Sequence, residues 1–202
     1  MDNKYILTAE GINKSFGAAH VLKNAKFSLK RGEIHGLMGE NGAGKSTLIK
    51  IISGDYSRDS GTITLDGKPV MFNSPKDAID MGIRVIHQEI NVVKPLSVAE
   101  NIFLGNYPRK ANGMVNWEKL YQQAQDVLDS LGEKISVKTK VGLLPIAEQQ
   151  IVEIAKALSV SPKVLIMDEP TAALNDQETS KLFALLRKLR DKGVSIIYIT
   201  HR

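Results

Sequence analysis

The strongest constraint on what this chain can become is one run of nine residues, Gly39-Glu40-Asn41-Gly42-Ala43-Gly44-Lys45-Ser46-Thr47. It matches the phosphate-binding pattern G-x-x-x-x-G-K-[ST]. An apolar-leaning run, Ile34 to Met38, comes just before it, and a helix-like run, Thr47 to Ile52, just after. Glycines let a backbone curl so that successive N–H groups point inward as an anion nest. The helix that follows adds its partly positive N-terminus. Lys45 offers a mobile cation for β- and γ-phosphates, and Ser46 a hydroxyl for Mg²⁺. The bland alternative is a glycine turn joining a strand to a helix.

Upstream of the loop, Tyr5 to Glu10 reads as a short strand and Ala25 to Leu29 as a half-buried one. Phe16 falls between them in a polar, glycine-flanked stretch that reads as a turn. It is either a satellite-core ring or a ring placed to stack on a base. Downstream, Ser60 to Val70 reads as two strands around an Asp66-Gly67 turn. Ser74, Pro75 and Asp77 then form a helix-start pattern. Ile83 to His87 reads as a strand ending at Gln88, by itself an ordinary turn residue.

From Leu96 to Leu158 the pattern is mostly helical, broken by a charged loop from Pro108 to Met114. Trp117, Leu120, Tyr121, Ala124, Val127, Leu128 and Leu131 form a stripe at helical spacing, expected to be core, with Asn116 as cap. Lys163 to Met167 is a continuous apolar run of the kind a central parallel strand needs. It ends in Asp168-Glu169, two carboxylates that are costly to bury without a cation or donors. An amphipathic helix from Asp176 to Lys192, with Leu182, Phe183, Leu186 and Leu189 on one face, and a β-branched strand from Ser195 to Thr200 complete the chain before His201.

Composition narrows the partners. The 202 residues suffice for one domain with a subdomain, and there is no cysteine for disulfides or thiolate metal sites. The net charge of +5 reflects 27 basic against 22 acidic residues, with no long basic run or basic-aromatic interleaving, so no nucleic-acid partner is expected. The first residues lack the apolar core of a secretion signal, and no apolar run approaches the ~20 residues of a membrane span.

Phosphate loop, strand-borne Asp-Glu, a Gln after one strand and a His after another, in this order, resemble the nucleotide-binding domain of ATP-binding cassette transporters. The resemblance covers essentially the whole chain. It implies an α/β P-loop fold: a mainly parallel sheet flanked by helices, an antiparallel β subdomain, and a helical subdomain at about 89–160. Under it, Phe16 is the adenine-stacking aromatic and Gly39, Glu40, Asn41, Gly42, Ala43, Gly44, Lys45, Ser46 and Thr47 are the ATP-binding loop. Ser46, Gln88 and Asp168 would hold Mg²⁺. Glu169 would be the general base, with Gln88 and His201 as further catalytic groups. Ala172 to Asn175 occupies the place of the D-loop.

The strings Met38 to Thr47, His87-Gln88-Glu89, Leu104 to Pro108 and Val152 to Ala157 are similar to the first cassette of bacterial ribose- and galactose-type importers. That similarity implies a peripheral ATPase on the cytoplasmic face of the inner membrane. Its partners would be permease subunits, a second cassette in the same polypeptide and, indirectly, a periplasmic sugar-binding protein.

Three features depart from the family pattern. The signature, roughly Leu-Ser-Gly-Gly-Gln, here reads Leu144-Pro145-Ile146-Ala147-Glu148. It either starts a helix well or marks a weakened contact to the opposite cassette's ATP. The D-loop ends in Asn175 where Asp is usual. The chain also stops just past His201, so residues 1–202 read as a cassette cut short. Two other classes remain: a soluble cassette ATPase of translation or DNA repair, and a P-loop kinase or GTPase. For the GTPase, Asn13-Lys14-Ser15-Phe16 lacks the Asp that would read guanine.

Overall fold

The computed structural model describes residues 4–40, 42–171 and 174–200. They divide into two compact units. The first takes residues 4–40, 42–85, 162–169 and 186–200, and the second 86–161, 170–171 and 174–185.

The first unit carries two sheets. Strands β1 (Tyr5–Phe16), β2 (Ala19–Lys30), β4 (Ser60–Leu65) and β5 (Lys68–Val70) form an antiparallel sheet in the order β2-β1-β4-β5. Strands β3 (Ile34–Met38), β6 (Ile83–Ile86), β7 (Val164–Asp168) and β8 (Ser195–Thr200) form a second sheet in the order β3-β8-β7-β6. Within it β3 and β7 both run parallel to β8. Helix α1 (Lys45–Ile52) follows β3, and α2 (Pro75–Asp80) precedes β6. The mainly parallel sheet with an antiparallel companion is the α/β arrangement expected from the sequence.

Each element has a local cause. Val164 to Met167 are fully buried, as an uninterrupted apolar strand requires. Helix α1 buries Leu48, Ile49, Ile51 and Ile52, at about 1.5–3 kcal/mol for each fully buried side chain. They join one core with Leu7, Ile12 and Leu29 of the antiparallel sheet and with Ile166 and Ile197 of the parallel one. At α2, the Ser74 hydroxyl accepts from the Asp77 N–H while the Asp77 carboxylate accepts from the Ser74 N–H, a reciprocal cap.

Two expectations are corrected here. The short strands become 12-residue strands, and Phe16 ends β1 instead of lying in a turn. Pairing on both edges of β1 carries the polar stretch through register shifts near Gly11 and Asn13. Gly61 is needed where β1 and β4 cross, since a Cβ there would stand 2.5 Å from the Gly11 carbonyl oxygen.

The second unit is helical. It holds α3 (Val98–Ile102), α4 (Trp117–Leu131), a 3-10 turn at Val141–Leu143, α5 (Ile146–Leu158) and the first part of α6 (Asp176–Asp191). Leu120, Ala124, Leu128 and Leu131 of the α4 stripe are buried, but Trp117 is 45% exposed. It opens the helix at the surface, beside the rings of Tyr107 and Tyr121. On α6 the buried face is completed by Leu185, while Phe183 is only half-buried. Among the described residues no helix is long and apolar enough to cross a membrane.

Candidate functional site

The parallel register decides what meets at the sheet edge. Met38 pairs with Thr200, and Ile199 pairs with Asp168. The carboxyl ends of β3, β8 and β7 therefore finish within one residue of each other, and the phosphate loop and the Asp168-Glu169 pair leave from the same edge. In open α/β sheets that edge is where ligands bind.

The loop between β3 and α1 is built to expose N–H groups. Gly44 precedes α1 with φ 84°, a left-handed conformation, and a Cβ there would lie 2.6 Å from the Leu22 side chain and 3.2 Å from the Val21 carbonyl oxygen. Gly44 at the cap position has no side chain to offer and the first turn carries no acid, which leaves the first amides of α1 as donors suited to an anion. The Lys45 ammonium donates to the carbonyls of Gly39 and Glu40, folding the side chain back along its own loop. Ser46 is exposed and Thr47 half-buried on the first turn. The Ala43 N–H donates to the Glu40 carbonyl at 3.2 Å, closing the turn.

Asp168 is the last residue of β7 and is half-buried. Glu169 follows with φ 47°, a left-handed conformation that a residue with a Cβ adopts at a cost of about 1–2 kcal/mol. Its N–H donates to the Ile199 carbonyl at 3.1 Å, which extends the pairing with β8 past the strand end and holds the strained turn. Strain of this kind concentrates where a side chain must be aimed.

A hydroxyl and a carboxylate are a modest metal set, and no group of three or more His, Cys, Asp or Glu that could hold an ion occurs among the described residues. Mg²⁺ keeps waters and binds one or two carboxylates plus substrate phosphates, so the Ser46 hydroxyl and the Asp168 carboxylate are donors of the type it takes.

Phe16 is 43% exposed at the end of β1, so it is not a satellite-core ring. The Tyr56 ring packs T-shaped against it, with ring centroids 5.2 Å apart, and the Lys14 ammonium lies 5.2 Å from its centroid. Gln88 is exposed in a bend after β6 and belongs to the second unit. Asn41, Ala172, Ala173 and His201 lie outside the described residues. The altered signature opens α5: Pro145 precedes the first turn, its carbonyl accepts from the Gln149 N–H at 3.0 Å, and Glu148 places a carboxylate in that turn.

Three polar residues of the second unit carry contacts that the sequence did not single out. Asn101, 1% exposed, accepts from the Val93 N–H at 2.7 Å and donates to the carbonyls of Val93 and Ser97. Glu153 accepts from the Asn91 N–H at 3.3 Å through Oε1 and leaves Oε2 buried without a partner. Together they pin the segment just after Gln88. Gln150, also buried, donates to the Pro170 carbonyl, next to Glu169 in sequence.

Burial pushes the Glu153 carboxyl above its ordinary range, against the opposing pull of the Asn91 N–H and the Lys156 charge. The folded state thus holds this proton more tightly than the unfolded one. Its contribution to stability is present below the ordinary carboxylate pKa and is lost as pH rises through the raised one. Glu153→Gln is therefore expected to gain stability relative to the native protein as pH goes from about 4 to about 7. Paired urea melts across that range check this, and a flat or falling difference would contradict it.

Comparison with known proteins agrees with this geometry. Residues 22–172 match the family model described as ABC transporter. The chain is 50% identical over 198 residues to the ribose import ATP-binding protein RbsA of Shouchella clausii, covering 98% of this chain and 40% of that protein. It is 45% identical over 200 residues to the galactose/methyl galactoside import ATP-binding protein MglA of Escherichia coli, covering 98% of this chain and 39% of that one. The chain thus spans about two fifths of the length of these relatives. Among solved structures it resembles the ADP conformation of an ATP-binding cassette of an ABC transporter, with a TM-score of 0.84 and 28% identity, covering 98% of this chain and 82% of that one.

Proposed function

The chain belongs to the ABC transporter family, and from that premise we propose that it is the ATP-binding and hydrolysing part of a sugar importer. The carrying observation is the shared sheet edge: a phosphate loop with uncapped amides and a strained, strand-end Glu169 leave the same edge from β3 and β7, the two strands that flank β8. The names of the relatives, ribose and galactose import ATP-binding proteins, favour sugar uptake over a role in translation or DNA repair.

In this reading the loop amides and Lys45 bind the β- and γ-phosphates, and Asn41 belongs to the same loop. Phosphoryl transfer needs positioning and charge neutralisation more than covalent chemistry. Mg²⁺, when bound, supplies a Lewis acid to the phosphates, and Ser46 and Asp168 are the residues that would hold it. Glu169 takes the proton of the attacking water on its carboxylate. Roles for Gln88 and His201 rest on the family resemblance alone. The helical part, about 89–160, would act as the helical subdomain of a single cassette. Permease subunits, a second cassette and a sugar-binding protein would complete the assembly at the cytoplasmic face of the inner membrane. The test is Mg²⁺-dependent phosphate release by the full-length protein, alone and with its permease. No release under either condition would overturn the reading.

Base recognition adds a prediction. An exposed ring at Phe16 reads a π-face and not hydrogen-bonding edges. ATP and GTP should therefore bind within about tenfold of each other, a difference of about 1.4 kcal/mol. Competition with a fluorescent nucleotide measures this. An ATP preference above about a thousandfold, or about 4 kcal/mol, would require an edge-reading group.

A further inference from the structure

The ring that faces the base does not hold itself. Phe16 ends β1, 43% exposed, and an isolated ring there would be free to turn about χ1. Two residues of the connection between α1 and β4 restrain it. The Tyr56 ring packs T-shaped against it at 5.2 Å and 68°, while the Tyr56 N–H donates to the Lys50 carbonyl at 3.0 Å in the last turn of α1. Asp59 grips the two residues before Phe16. One carboxylate oxygen accepts from the Ser15 N–H at 2.7 Å and the other from the Lys14 ammonium at 3.2 Å. The Asp59 N–H donates to the Asn13 carbonyl at 2.9 Å, so the grip is made by backbone as well.

The paired Lys14, its side chain only 12% exposed, is thereby held 5.2 Å from the Phe16 centroid. The ammonium therefore stands over the ring from the same grip that fixes the strand end. Helix α1 begins in the phosphate loop, so this connection runs from the phosphate site to the base site through few bonds.

We infer that Tyr56 and Asp59 are positioning residues for nucleotide binding, fixing the Phe16 ring relative to the helix that carries the phosphate loop. The inference rests on Phe16 being the base contact. It makes the restraint specific for a ligand with a base, because an inorganic polyphosphate needs only the loop. Preorganising a contact raises affinity by removing the ordering cost at binding.

The experiment compares ATP with inorganic tripolyphosphate on the full-length protein, by calorimetric titration. Tyr56→Ala and Asp59→Ala should each weaken ATP about three- to tenfold. Tripolyphosphate should stay within about twofold for both, which also shows that the loop is still folded. Tyr56→Phe, which keeps the ring, should restore ATP affinity to within about twofold. Adding Tyr56→Ala to Phe16→Ala should weaken ATP no further than Phe16→Ala alone, since both changes remove one contact.

If Phe16→Ala weakens ATP while Tyr56→Ala and Asp59→Ala do not, the positioning role is wrong and the base contact stands. Equal losses of ATP and tripolyphosphate would make the two residues general scaffold, which also overturns it. Should Phe16→Ala leave ATP unchanged, the base contact itself fails, and the inference with it.

Discussion

Lys45→Ala is expected to lower Mg-ATP affinity by about a hundredfold or more. Charge-assisted hydrogen bonds contribute about 1.5–3 kcal/mol each, and two bonds to phosphate oxygens would be lost together. The position of the ammonium supports the size of the effect. It is folded along its own loop onto the carbonyls of Gly39 and Glu40, so it stands at the loop proposed to hold the phosphates. The fold should survive, because the side chain is only half-buried and α1 is anchored by Leu48, Ile49, Ile51 and Ile52. Calorimetric titration alongside a thermal melt separates the two. A loss of affinity under about threefold, or about 0.7 kcal/mol, would mean that Lys45 does not hold the phosphates.

The second large effect is expected at Glu169→Gln, this time in turnover. A positioned general base contributes about 10²–10⁴ in rate, so steady-state phosphate release should fall at least a hundredfold. Gln has the same shape and the same backbone restrictions, and the Glu169 N–H bond to Ile199 does not involve the side chain. ATP affinity should therefore stay within about threefold, or about 0.7 kcal/mol. Should two unequal sites exist in the full-length protein, a variant keeping half of its turnover would show that the Lys45–Glu169 site is not the dominant one.

Much of this could be read from the chain, for identifiable reasons. The apolar run at β7 and the β-branched run at β8 are continuous local signals of buried strands, and the capping pattern Ser74-Pro75-Asp77 is read within four residues. The phosphate loop was legible because its glycines and Lys-Ser pair form a pattern contained within nine consecutive residues. What could not be read depended on partners distant in sequence. The stretch Gly11 to Phe16 reads as a turn by composition, yet pairing with β2, and with β4 as far as Asn13, keeps it within β1. Trp117 fits the helical stripe, but it occupies the first turn, where α4 emerges at the surface. Asp59 and Tyr56 look like ordinary loop residues until the loop is folded onto β1. Glu153 and Asn101 matter only through backbone groups from a segment that has no pattern of its own.

The central claim is that ATP held by the Lys45 loop is cleaved with Glu169 as base. The most direct measurement is the chemical state of nucleotide retained after one turnover. The full-length protein and its Glu169→Gln variant are mixed with γ-labelled Mg-ATP, separated rapidly from free nucleotide, and quenched. The account predicts ADP with released phosphate from the native protein and intact ATP from the variant, at equal bound nucleotide. ADP from both in the same proportion would contradict it.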